Sequence, residues 1–207
     1  MASPEQQIAT PIADQGISKI YAVQHCQVAA VLTDPVGALV TYSEWFDVPG
    51  IKVLELSGDM DTKELRGDNR LIDQSSIITG LTAKIEHAKV SLQVLAVLLG
   101  GTVADKTVVA GSPYAGKGWS LTQASSPKAF GMRCISAAAD TPGGAVAFVM
   151  SKCSLSGFPE LGAAEEDYQT VSLEANVNPP FGTSTWLDVV IMDTYTPPAP
   201  WTPDTSV

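Results

Sequence analysis

One stretch, Ser76 to Gly101 (SIITGLTAKIEHAKVSLQVLAVLLGG), changes hydrophobic period in its middle. From Ile77 to Ile85 one alternate set, Ile77, Thr79, Leu81, Ala83 and Ile85, is mostly apolar. The other set, Ile78, Gly80, Thr82, Lys84 and Glu86, is mostly polar. Period two marks a strand with one face on a core. From Ala88 the spacing shifts to threes and fours, and Ala88, Ser91, Leu92, Leu95, Leu98 and Leu99 share one helical face. Leu, Ala and Gln favour helix, and Gly100-Gly101 supplies a residue for a left-handed cap. A long strand therefore runs into an apolar helix over 88–99, about three turns long. Such a helix cannot stand in water and must cover a sheet.

The rest of the chain alternates strand and turn signals. Residues 1–20 are polar, hold Pro4 and Pro11, and read as an extended arm. Strand patterns follow over 20–32, 42–48 and 51–57, separated by Asp34-Pro35 and Pro49-Gly50 turns. Residues 58–74 (GDMDTKELRGDNRLIDQ) are dense in charge, hold two glycines and read as a long loop. After Gly101 the chain is rich in Gly and Ser, with one strand pattern over 118–123. Residues 129–138 and 145–155 flank the turn Asp140-Thr-Pro-Gly-Gly144 and read as a hairpin. Strand patterns over 168–176 and 186–193 complete the domain, which spans 21–195. Residues 196–207 hold four prolines and read as a flexible tail. About eight strands and one flanking helix, with no βαβ rhythm, make a mainly β chain: an antiparallel sandwich, or a sheet curling toward a barrel.

Charge excludes some partners. The net charge is −10, and only 16% of residues are charged. Before Asp140 there are 13 acids and 11 bases; from Asp140 onward there are 9 acids and one base, Lys152. Such a chain does not grip a phosphate backbone, which needs Lys and Arg. A weakly charged, 45% hydrophobic chain suits a surface buried against copies of itself. The cysteines Cys26, Cys134 and Cys153 lack CxxC spacing and read as buried thiols of a reduced compartment, not a disulfide framework. His25 and Cys26 are neighbours on a strand, so they point to opposite faces and cannot share a metal. The N-terminus lacks a signal peptide's basic and apolar regions, and the longest apolar run, Val94 to Leu99, is too short to span a bilayer.

No motif carries chemistry. Gly111 to Lys117 has GxxxxGK spacing, but Gly118 stands where a magnesium-binding hydroxyl belongs, and a strand pattern follows where a helix is needed. Asp59-Met-Asp61 opens like a calcium loop, yet Lys63 and Glu64 occupy its fifth and sixth positions. Arg66-Gly67-Asp68 spells an adhesion tripeptide but fits a charged turn. Glu165, Glu166 and Asp167 have no His, Ser or Lys arrangement beside them and read as a solvated loop. The expectation is no enzyme, no metal and no cofactor.

Two stretches in combination carry a resemblance. They are DTKELRGDNR (Asp61 to Arg70) and IEHAKVSLQVLAVLLGG (Ile85 to Gly101), supported by DVPGIKVLELS (Asp47 to Ser57) and VMSKCSLSGFPELG (Val149 to Gly162). Over roughly 23–193 the chain resembles the major tail (tail tube) proteins of long-tailed, non-contractile bacteriophages, especially those of actinobacterial hosts. The resemblance implies a structural virion protein with a β-sandwich-like core and a flanking helix. It implies hexameric rings whose sheets join across subunits into one barrel and stack into a tube, the conduit for DNA ejection. Implied partners are other copies, the tape-measure protein, the tail terminator and DNA passing without specific binding; no membrane is implied. Implied localisation is the virion tail, assembled in the host cytoplasm. In that setting Asp61, Lys63, Glu64, Arg66, Asp68 and Arg70 of the 58–74 loop become candidates for the subunit interface. Lys84 and Glu86, on the polar face of the strand, become candidates for an acidic lumen. After Asp193 the expectation is a Pro-rich tail alone, without the added immunoglobulin-like domain that some members of that family carry. Rival readings are another phage ring, such as a tail-completion or connector protein, a monomeric β-barrel binding a small apolar ligand, and a P-loop hydrolase.

Overall fold

The computed structural model describes residues 19–67, 70–107, 114–140, 142–161 and 170–195. The arm over 1–18, the tail over 196–207 and the acidic run at Glu165 to Asp167 lie outside them. The chain is mainly β, with antiparallel strands and, among the described residues, one short helix.

The first strand, β1 (Ile20–Thr33), pairs on one side with two short pieces, β2 (Thr41–Tyr42) and β3 (Phe46–Asp47). Two long strands follow, β4 (Ile51–Gly67) and β5 (Arg70–His87). This corrects the loop expected over 58–74. The register runs from Ile51 opposite His87 to Gly67 opposite Arg70, so almost all of that stretch is ladder. The reason is physical. Beyond Gly58 the described side chains of the ribbon meet solvent on both faces, and a stretch without a buried face reads as loop. A bulge shifts the register between Asp59 opposite Gly80 and Met60 opposite Ile78, leaving Thr79 unpaired. Past it the faces exchange: Ile78, not Ile77, continues the face of Leu81, Ala83 and Ile85.

The helix α1 (Leu92–Leu99) is shorter than the 88–99 expected. Ala88 donates to the Gly50 carbonyl at 2.8 Å and is held in a turn. The Ser91 hydroxyl then accepts from Val94 N–H at 3.4 Å, the N-cap that starts the helix. Gly100, with φ 74°, ends it. Val94, Leu95, Val97, Leu98 and Leu99 are buried. The helix lies between β1 and β3 and a small separate ribbon, β6 (Thr102–Lys106) with β7 (Gly116–Ser120). Gly116 and Lys117 of the GxxxxGK match open β7, so a strand follows them; Gly111 lies outside the described residues.

The remaining strands are β8 (Phe130–Ala138), β9 (Ala145–Leu155), β10 (Val171–Val177) and β11 (Asp188–Met192). The main sheet runs β2-β1-β8-β9-β10-β5-β4, with β11 continuing along the β9 edge and β3 on β1. The sheet curls until β4 lies beside the start of β1. Its concave face packs Val28, Ile85, Phe130, Met132, Met150 and Leu173, all essentially inaccessible, against Leu98 of the helix. One clamp fixes the step from β10 to β11. Asp34 accepts from Lys152 Nζ at 2.6 Å and from Phe181 N–H at 2.9 Å. A Cβ at Gly182 would collide with the Ala38 carbonyl, so only glycine lets the two turns meet.

Cys26 and Cys134 are disulfide-bonded, which corrects the expectation of three free thiols. They are 108 residues apart in sequence yet face each other on β1 and β8, Cα to Cα 4.0 Å, a proximity that spacing does not reveal. Cys153 is free, and burial pushes its thiol up to about 12.

Ala22 sits at φ 45°, inside the register shift of β1 between Tyr21 and Val23. Left-handed backbone costs an L-residue about 1–2 kcal/mol. Ala22→Gly is therefore expected to raise stability by up to about 1 kcal/mol in urea melts. A clear loss would contradict strain at this bulge.

Candidate assembly surface

Two features of the sheet stand out, and both lie on β4 and β5. The first is the polar outer face where β4, β5 and β10 run side by side. Glu55, Lys84 and Glu174 lie in one row, Ser57, Thr82 and Asn176 in the next, and Val53, Glu86 and Ser172 on the other flank. The opposite faces of the same strands hold Leu54, Leu56, Ala83, Ile85, Leu173 and Ala175, which is why the alternation is so clean. Lys84 Nζ lies 3.0 Å from Glu86 Oε1. The hydrogen bond and charge of Glu86, then the charges of Glu55 and Glu174, hold the Lys84 ammonium above its ordinary pKa. Three carboxylates thus surround one ammonium, and the face is net acidic. Lys84 and Glu86 are brought together as one ion pair within this face.

The second feature is the free end of the β4–β5 ribbon. β10 pairs β5 only from Leu81 to His87. Beyond that, Asp59 to Gly67 pairs with β5 alone, a two-stranded ribbon roughly 30 Å long. An isolated two-stranded ribbon is marginally stable in water. This one also exposes large apolar side chains at its base: Met60 is 68%, Ile77 57% and Ile78 55% accessible. Met60 and Ile78 are direct cross-strand partners, and Ile77 stands opposite Asp61 on the other face.

Of the residues expected at a subunit interface, Asp61, Lys63 and Glu64 are exposed on β4. Arg66 is exposed too, and its guanidinium is engaged by Glu64 of its own strand, at 2.8 Å from Nε and 2.7 Å from Nη2. Arg70 opens β5, and Asp68 lies outside the described residues. The apolar trio Met60, Ile77 and Ile78 was not among those expectations. Its signal was the Ile-Ile pair that breaks the alternation.

Among the described residues, no cluster of three or more His, Cys, Asp or Glu is placed to hold a metal. No described helix is long and apolar enough to cross a membrane. No protein-family model and no curated protein matches this sequence.

Proposed function

We propose that this chain is the structural subunit of a bacteriophage tail tube. Copies join edge to edge into hexameric rings, and the rings stack into a hollow conduit for DNA ejection. The observation that carries this reading is the bare ribbon over 59–78. A strand pair with apolar residues on both faces and no third strand among the described residues is incomplete in one copy, and another copy supplies the cover.

The acidic outer face supports the same reading. If Glu55, Glu86 and Glu174 line the lumen, phosphates are repelled and duplex DNA slides without sticking. Lys84 does not reverse that sign, since its ammonium is already matched by Glu86 and flanked by the other two acids. The mixed charges of the ribbon, Asp61, Lys63, Glu64 and Arg66, suit register-setting contacts with the next ring, where each exposed pair contributes about 0–1 kcal/mol. The tape-measure protein would fill the lumen during assembly, and the tail terminator would cap the finished tube. The Cys26–Cys134 disulfide fits a protein that ends in a released particle, because disulfides persist outside the reducing cytoplasm.

The test is electron microscopy and sedimentation of the concentrated protein, alone and with its tape-measure partner. Stacked rings with a lumen wide enough for duplex DNA are expected. A chain that stays monomeric under both conditions contradicts the proposal.

A further inference from the structure

β11 and the ribbon leave two strand edges bare. β10 has a strand on each side, β9 and β5. Next along the same β9 edge, β11 pairs with β9 alone, and its outer edge is open among the described residues. β5 is in the converse position. It pairs with β10 only from Leu81 to His87, and from Arg70 to Gly80 that edge has no partner among the described residues. Neither edge is guarded. Exposed edges are commonly blunted by Lys or Pro, yet no charge and no proline stands from Val189 to Met192 or from Gln74 to Gly80. Each edge instead carries two successive exposed apolar residues, one for each face: Val189 and Val190 on β11, Ile77 and Ile78 on β5. Val189 stands opposite Phe148 and lies on the concave face, while Val190, opposite Ala147, lies on the outer face. Ile78 continues the concave face of Leu81, and Ile77 lies on the outer one.

We infer that the outer edge of β11 in one copy pairs with the bare edge of β5, over Ser75 to Thr79, in a second copy. The faces fix the register. β10 already meets β5 antiparallel. A strand added in the same sense, with concave faces aligned, sets Val189 against Ile78 on the concave face and Val190 against Ile77 on the outer face. A slip of one residue would set an inward valine against an outward isoleucine, which the alternation of the pleat forbids. A slip of two keeps the faces but parts the apolar pairs. In this register Asp188 to Met192 meets Ser75 to Thr79, and both apolar pairs are brought together at once. Strand addition takes its affinity from main-chain hydrogen bonds and its specificity from alternate side chains. The two edges are different surfaces of one subunit, so each copy offers one and accepts the other. Such head-to-tail contacts propagate, and close into a ring where the rotation permits.

This inference rests on the self-assembly reading and names the partner of its ribbon. The experiment is a cross-link between copies. Full-length Val190→Cys and Ile77→Cys are purified separately, mixed, and oxidised with copper phenanthroline in air. Directly opposed Cβ atoms lie about 4.5–5.5 Å apart, within reach of a disulfide after a small adjustment. The native cysteines do not compete, since Cys26 and Cys134 are bonded to each other and Cys153 is buried. A covalent dimer is expected, read by non-reducing electrophoresis and intact mass, at a yield well above that of Ile77→Cys mixed with Val36→Cys, an exposed position on another turn. A yield no greater than that control overturns the pairing. The chain carrying both substitutions should give a ladder of linked oligomers. A linked single chain alone would place β11 on its own ribbon, which also overturns the pairing. Val190→Lys is expected to raise the assembly threshold about tenfold or more in sedimentation, with the melt of the single subunit little changed; an unchanged threshold counts against the pairing. Wild type is imaged alongside. Rings or tubes without the cross-link overturn this pairing and leave the tube reading standing, whereas a wild type that stays single overturns both.

Discussion

A chain carrying Met60→Asp and Ile78→Asp is expected to fold and to remain a single subunit. The two side chains are cross-strand partners, 68% and 55% accessible, and neither belongs to the buried cluster behind the helix. Their replacement therefore removes nothing from the core. Exposed substitutions of this kind usually change stability by less than about 0.5 kcal/mol. Opposed aspartates repel, so a slightly larger loss, confined to the ribbon, is expected.

The cost falls on association instead. Burying a Met or Ile side chain contributes about 1.5–3 kcal/mol. Losing two such contacts at every interface amounts to about 3–6 kcal/mol, a weakening on the order of 10²- to 10⁴-fold. Carboxylates forced into the same contact add a desolvation penalty. In the proposed ring the loss would repeat at each junction, so assembly should vanish at any practical concentration. Circular dichroism and a cooperative melt establish the fold, and sedimentation establishes the state. Tubes of ordinary length from this variant would show that the ribbon is not covered by another copy.

Much of the sheet was legible in the sequence wherever one face meets a core and the other meets water. Ile51 to Ser57 and Leu173 to Val177 alternate because their inward residues pack behind β4 and β10 while Glu55, Glu174 and Asn176 point out. The hairpin of β8 and β9 was legible from its turn chemistry. Legibility failed where that asymmetry fails. The outer ribbon has no inward face, so charged residues read as loop, and the bulge at Thr79 exchanged the faces of Ile77 and Ile78. The helix start was misplaced because the apolar spacing ran back through Ala88, whereas the Ser91 cap, a local hydrogen bond, sets the boundary. The disulfide and the stack of the Arg133 guanidinium on the Trp45 ring join residues far apart in sequence, so spacing could not find them. A weak signal existed for the second: Arg133 is the lone charge in the strand FGMRCISAA, and a cation there needs a partner.

The largest effect on stability is expected at Phe130. It is fully buried, opposite Ala30 of β1 and Cys153 of β9, at the centre of the curled sheet. Phe130→Ala removes an aromatic ring and leaves a cavity, at a cost of about 3–5 kcal/mol. Met132 and Met150 belong to the same cluster, and flexible thioethers can move into part of the void, so the lower half of that range is expected. Against a total of about 5–15 kcal/mol, such a loss is a large fraction of what holds the fold. For a domain of this size it should lower Tm on the order of 10 °C. The matched comparison is Phe181→Ala. That ring is 69% accessible, and the Lys152 ammonium lies 4.3 Å from its centre. Losing an exposed cation–π contact costs about 0.5–1 kcal/mol. Both melts belong at concentrations where the subunit is single, because association would add its own stabilisation. Equal losses at the two positions would mean that Phe130 does not sit in a packed interior. A loss several times larger at Phe130 follows directly from the inward and outward faces of this sheet.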